Sequence, residues 1–170
     1  LQRNPELDPK EIDHLAHVLG IGAVKYADLS CLRTKDYTFS YERMLRFDGN
    51  TAVFLLYAYV RIHGIKRKIN ADMRHVLQHD QINLQHPSEI SLGLHLRRFG
   101  EILEMMARDL LPNRLTDYLY ALAEKFNAFF RDCRVEGSPE EGSRLVLCEL
   151  TSLVLKQGLE ILGLETVSRM

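Results

Sequence analysis

The chain has 170 residues, 46% apolar and 26% charged, with 22 basic and 23 acidic side chains and a net charge of −1. That is the size and composition of one globular domain, or one domain plus an attached segment, with no whole-chain basic excess of the kind that marks nucleic-acid binding. Its longest apolar run, Thr51 to Val60, stops at Arg61, far short of a membrane span; no basic-then-apolar leader opens the chain, and three widely spaced cysteines (Cys31, Cys133, Cys148) argue against a disulfide framework and fit a reducing compartment.

Asp8-Pro9-Lys10-Glu11 reads as an N-cap, a proline at the first helical position and a capping-box glutamate, which predicts a helix to about Ser30. Tyr37, Phe39 and Tyr41 alternate with Thr38 and Ser40 in the period of a strand, so residues 31–49 read as an extended or mixed connection. Asn50 is a candidate N-cap for the next helix. Leu92, Leu96, Phe99, Leu103, Met106 and Leu110 form one continuous helical stripe that Pro112 ends. Leu115, Leu119, Leu122, Phe126, Phe129 and Cys133 form a second. Ser138-Pro139-Glu140-Glu141 repeats the capping chemistry before a final helix with Leu147, Cys148, Thr151, Val154, Leu155, Leu159 and Leu162 on one face, stopping at Gly163. Gly158, inside that face, implies close helix packing. Stripes on helices joined by short loops must bury against one another, so the fold class is all-α: an antiparallel helical bundle preceded by a short helical or extended junction.

The chain carries no complete active site. Gly20-Ile21-Gly22 lacks the third glycine and the preceding strand of a phosphate loop, and there is no nucleophile turn. His75 and His79, four apart with His86 nearby, lack the glutamate and cysteine partners of a metal site and read as surface histidines, so no metal is expected. The strongest local pattern is in the helix after Asn50. Phe54, Tyr57, Arg61 and Lys68 fall within about a 60° arc at 100° per residue. Two readings stand: a buried aromatic stripe, or rings and a guanidinium on which unpaired bases stack. Ala52, Leu56, Val60 and His63 offer an alternative core face. From Phe54 to His75, Arg61, Lys66, Arg67, Lys68 and Arg74 face one acid, Asp72, which reads either as a solvated helix end or as a phosphate-attracting patch. The end, Val167-Ser168-Arg169-Met170, is either a frayed tail or a set of contacts.

Gly20 to Ser30 (G-I-G-A-V-K-Y-A-D-L-S), Asp36 to Phe39 (D-Y-T-F), Gly49 to Ile62 (G-N-T-A-V-F-L-L-Y-A-Y-V-R-I), Arg144 to Leu150 (R-L-V-L-C-E-L) and Leu162 to Met170 (L-G-L-E-T-V-S-R-M) resemble arginyl-tRNA synthetases in collinear order. That family is of class I, with a nucleotide-binding catalytic domain followed by a helical bundle named for a D-A-L-R sequence. Ser143-Arg144-Leu145 agrees with that name motif only in part. The H-I-G-H-like and K-M-S-K-S-like motifs are absent, and the chain opens on Leu1. A cut or processed piece lacking the catalytic half is therefore expected, with Met170 as its natural end.

The resemblance implies a junction over residues 1–49 and an anticodon-binding bundle over 50–170. It implies that Phe54, Tyr57, Arg61 and Met170 contact the anticodon loop of the arginine tRNA, with the stem as a further partner. Lys66, Arg67, Lys68 and Arg169 are the expected phosphate contacts. The parent would ligate arginine to its tRNA using ATP and Mg²⁺ held in the absent catalytic domain; this piece would hold no cofactor and be inactive alone. DNA and membrane are not expected partners. The parent is expected to be a monomer of the cytoplasm or of an organelle matrix. The alternatives are the equivalent bundle of another class I synthetase, such as the cysteinyl enzyme, or a helical protein-interaction module with no RNA role.

Overall fold

The computed structural model describes residues 8–70 and 72–170. The first helix, α1 (Pro9–Ser30), starts as its sequence dictates: the Glu11 amide donates to Asp8 Oδ1 at 2.8 Å, and the Asp8 amide donates to Glu11 Oε2 at 3.0 Å. It buries Val18, Ala23 and Tyr26. The connection that follows contains only a single helical turn, α2 (Tyr41–Met44).

Residues 31–49 are the mixed connection expected: the strand periodicity at Tyr37–Tyr41 makes no strand, and no strand occurs among the described residues. A strand's amides need a neighbouring strand, and alternation alone supplies none. The Ser40 side chain instead accepts from the Arg43 amide and starts the α2 turn. Tyr37, Phe39 and Tyr41 are all exposed, so the alternation separates no buried face from a solvated one.

Helix α3 (Ala52–Ile69) is capped by Thr51, whose Oγ1 accepts from the Phe54 amide at 3.2 Å and donates to the Arg46 carbonyl at 2.7 Å. Asn50, the expected cap, does other work. Its Oδ1 lies 2.6 Å from the buried Tyr26 hydroxyl, which also lies 3.0 Å from the Thr116 carbonyl, and its amide donates to Asp117. The core face of α3 is Leu55, Leu56, Tyr59 and Ile62 with Ala52 and Ala58; of the alternative face, Ala52 and Leu56 are buried and Val60 and His63 half-buried. A short α4 (Met73–His79) follows, capped by Asp72 and lying against the last helix.

The stripe from Leu92 to Leu110 belongs to two helices, α5 (Pro87–Leu96) and α6 (Phe99–Asp109), with a break at Arg97 and Arg98. The break has a tertiary cause. Tyr118 on the next helix donates its hydroxyl to the His95 carbonyl at 3.1 Å, and its own carbonyl lies 3.0 Å from His95 Nε2. The bend lets α5 and α6 both lie on α7 (Asn113–Asp132). Leu110, expected to bury at the stripe's end, is instead exposed in a left-handed conformation at φ 54°.

Every residue of the second stripe is buried, and α7 touches α1, α3, α5, α6 and α8 (Glu141–Ile161). The capping expected of Ser138 before α8 is absent: Ser138 Oγ donates back to the Val135 carbonyl, and Glu141 accepts from the Gly137 amide. At the far end the Gly163 and Leu164 amides donate to the Glu160 and Leu159 carbonyls, both at 2.9 Å, with Gly163 at φ 72°. A Cβ on Gly158 would meet Leu119 Cδ2 at 2.5 Å, which accounts for glycine there. Cys133 and Cys148 are core residues, and burial pushes the Cys148 thiol up to about 12.

Candidate nucleic-acid interface

The outward edge of α3 faces α7 across an open groove of about 560 Å³, walled by Tyr57, Arg61 and Lys68 on one side and by Phe130 and the Cys133–Glu136 loop on the other. Helical geometry brings Tyr57, Arg61, Gly64 and Lys68 to this edge. A Cβ on Gly64 would meet nothing within 4 Å, so the floor at that point is free space.

Arg61 is the centre of the groove. Its guanidinium carbon lies over the Tyr57 ring at 4.8 Å and over the Phe130 ring at 5.0 Å, and its Nη1 donates to Asn127 Oδ1 at 2.8 Å. No carboxylate pairs with it among the described residues. A half-buried cation held by ring faces and a neutral amide keeps its charge for an incoming anion. Phe47 extends the aromatic surface, its ring 6.0 Å from Tyr57 at 88°.

The two rings expected to act together separate. Phe54 packs against the core and its ring lies 5.4 Å from Tyr120, whereas Tyr57 is half-buried on the groove. Tyr120 in turn donates to Glu124 at 2.8 Å, which raises its own hydroxyl above the ordinary range.

The three consecutive cations diverge, as 100° steps require. Lys66 pairs with Glu149 on α8, and both side chains are largely buried, at 16% and 14% exposure. Arg67 donates to the Ser168 carbonyl at 3.0 Å, beside the chain end. Lys68 reaches Glu136 across the groove at 2.5 Å, but both side chains are exposed, so this pair is weak and exchangeable. The end of the chain is not frayed: Val167 and Met170 pack against the core, and Lys25 on α1 donates to the Gly163 carbonyl at 3.1 Å. Arg169 is exposed in a separate shallow cleft with Glu11 and His14.

Behind the groove, Glu89 and Arg144 form a sealed polar cluster. Arg144 Nε donates to Glu89 Oε1 at 2.7 Å, and its Nη1 donates to the Arg134 carbonyl at 2.7 Å and lies 3.3 Å from Glu140. Glu89 also accepts from the Gln85 and His86 amides at 2.9 and 2.8 Å. Burial alone would push the Glu89 carboxyl up; the His86 amide, the Arg144 guanidinium and the Gln85 amide outweigh it and hold it below the usual range. Arg144 thus fixes the loop that walls the groove. His75 and His79 stack on the surface with ring centres 4.2 Å apart, and His86 caps α5. Among the described residues no three metal-ligating side chains converge.

Phe130, Asn127, Phe47 and Tyr120 were not expected at the site. The signal available for two of them was an aromatic directly beside a stripe position: Phe130 after Phe129, and Tyr120 after Leu119. One residue off the stripe is 100° off the core face, where a neighbouring helix or a ligand must meet it.

Residues 55–170 match the DALR anticodon binding domain family. An arginine–tRNA ligase of Protochlamydia amoebophila is 68% identical over 169 residues, which are 99% of this chain and 29% of the relative. The arginyl-tRNA synthetase structure of Plasmodium falciparum superposes with a TM-score of 0.86 at 37% identity, covering 94% of this chain and 28% of that one. That of Thermus thermophilus gives 0.87 at 27% identity, covering 99% and 29%. The chain thus spans about 29% of the curated relative's length. The collinear blocks, the all-helical bundle and the match across α3 to the last residue agree, and the chain belongs to the DALR anticodon binding domain family.

Proposed function

We propose that this chain is the anticodon-binding part of an arginine–tRNA ligase and that the groove between α3 and α7 receives the anticodon loop of the arginine tRNA. The observation that carries the reading is Arg61, an un-neutralised guanidinium over Tyr57 and Phe130 at the mouth of an open groove. Unpaired bases are bound by ring faces and arginine together, and phosphates by nearby cations. Tyr57 and Phe130 offer the rings; Lys68 and Arg67 are the cations able to release their present partners for phosphate. Phe54 supports the α3 edge from within, and Met170 and Arg169 extend the contact surface beyond Arg67. Lys66 is the weakest of the expected phosphate contacts, because Glu149 already holds it.

The bundle is assigned to residues 50–170 and the junction to 1–49, a division supported by a family match that starts at residue 55, although α1 of the junction packs into the same core. The arginine reading over a cysteinyl one is supported by the relatives, which are arginine–tRNA ligases. Arginine activation with ATP and Mg²⁺ is assigned to the remainder of the parent, of whose length this chain spans about 29%, and the chain alone is proposed to be inactive. The parent is proposed to be a monomer of the cytoplasm or an organelle matrix. No described helix is long and apolar enough to cross a membrane.

Filter-binding titrations of the complete protein test this reading, using the arginine tRNA and the same tRNA with its anticodon bases replaced. The expected result is weaker binding of the altered tRNA, with the Tyr57→Ala variant unable to tell the two apart. Equal affinity of the native protein for both overturns it.

A further inference from the structure

We infer that Asn127 is a positioning residue: by accepting from Arg61 Nη1 it holds the guanidinium over Tyr57 and Phe130, so that the remaining N–H donors keep one orientation before RNA arrives. The inference rests on the anticodon reading of the groove and adds a residue to it. Arginine has a long, flexible side chain, and holding it in one geometry costs conformational entropy unless something fixes it in advance. Asn127 on α7 is the hydrogen-bond partner that does so here, at 2.8 Å.

The chemistry of the acceptor matters as much as its position. A carboxylate at this point would fix the guanidinium equally well, but it would neutralise the charge that attracts RNA. An aliphatic side chain would leave the charge intact and the plane free to swing. A side-chain amide alone combines a strong acceptor with zero charge. Glu124, one turn before Asn127 on α7, is engaged with the Tyr120 hydroxyl at 2.8 Å, so the carboxylate on this stretch is directed to another partner. Asparagine is also a poor choice for a helix interior on propensity, which its role towards Arg61 offsets.

The test measures tRNA affinity and its salt dependence in the complete protein. Asn127→Leu is expected to melt as the native protein does and to bind the arginine tRNA about tenfold more weakly, the loss typical of one hydrogen bond to a charged group. In an Arg61→Ala background the same change is expected to cost less than about twofold, because the two residues act as one unit. Asn127→Asp keeps the acceptor and removes the net charge, so it is expected to flatten the salt slope by about one ion; this arm stands should Asn127→Leu fail to fold. Native affinity in Asn127→Leu, an undiminished cost in the Arg61→Ala background, or a native salt slope in Asn127→Asp overturns the inference while leaving the groove assignment intact. If Arg61→Ala itself binds normally, the groove assignment falls and this inference with it.

Discussion

Arg144 and Arg61 each reach from one helix to another, and their surroundings could hardly differ more. Arg144 is sealed in with Glu89, at 13% and 1% side-chain exposure respectively, meets a second carboxylate at Glu140, and donates to a backbone carbonyl as well. Arg61 lies over two aromatic rings on an open groove and gives one hydrogen bond to a neutral amide. The first arrangement cancels a charge and ties three chain segments together; the second preserves a charge and leaves it within reach of solvent. A family name built on a motif containing an arginine invites a functional reading of Arg144, but the geometry ties Arg144 into the scaffold and leaves Arg61 as the cation open to the groove.

The largest effect should come from breaking the sealed pair. Glu89→Gln leaves Arg144 buried with only Glu140 beside it, and urea denaturation should show a loss of about 3–5 kcal/mol. A loss under about 1 kcal/mol would erase the distinction between the two arginines. The same pair gives a pH signature. The Glu89 carboxyl is held below its ordinary value in the folded chain, so its contribution is present above the unfolded value of about 4.3 and fades as pH falls through the folded one. Acid unfolding of the native chain should therefore steepen below about pH 4, and Glu89→Gln should lack that component.

A finer contrast lies within α3. Phe54→Ala removes a ring packed on the core and should cost about 2 kcal/mol of stability, below the range for a fully buried ring. Tyr57→Ala should cost less than about 1 kcal/mol of stability but weaken tRNA binding by ~1–3 kcal/mol. Equal stability losses for the two would put Tyr57 in the core and sink the open-groove description. The smallest effect concerns neighbouring cations: Arg67→Gln should lower the salt dependence of tRNA binding by about one ion, while Lys66→Gln, already paired with Glu149, should leave it unchanged.

What could be read from the sequence was what the chain decides locally. The Asp8–Glu11 cap, the buried stripe of α7, the left-handed stop at Gly163 and the tight approach at Gly158 depend on a few neighbouring residues, and each appears as expected. The misses share a tertiary cause. Arg97 and Arg98 carry no breaker signal, and the stripe runs through them; the bend comes from Tyr118 taking the His95 carbonyl from another helix. On the groove, the shared edge of Tyr57 and Arg61 was legible from spacing on one helix, but Phe130 and Asn127 sit on a second helix whose rotation toward α3 no local pattern records.

The central place of α7 has a dynamic consequence. Its buried stripe is shared among α1, α3, α5, α6 and α8, so it cannot loosen without disrupting all of them. Backbone amides in its middle turns should exchange with deuterated solvent only through global unfolding, while those of α6, which has no fully buried residue, should exchange through local opening. One wall of the groove thus grows out of the element expected to exchange slowest, so Phe130 is presented from a mount that hardly breathes.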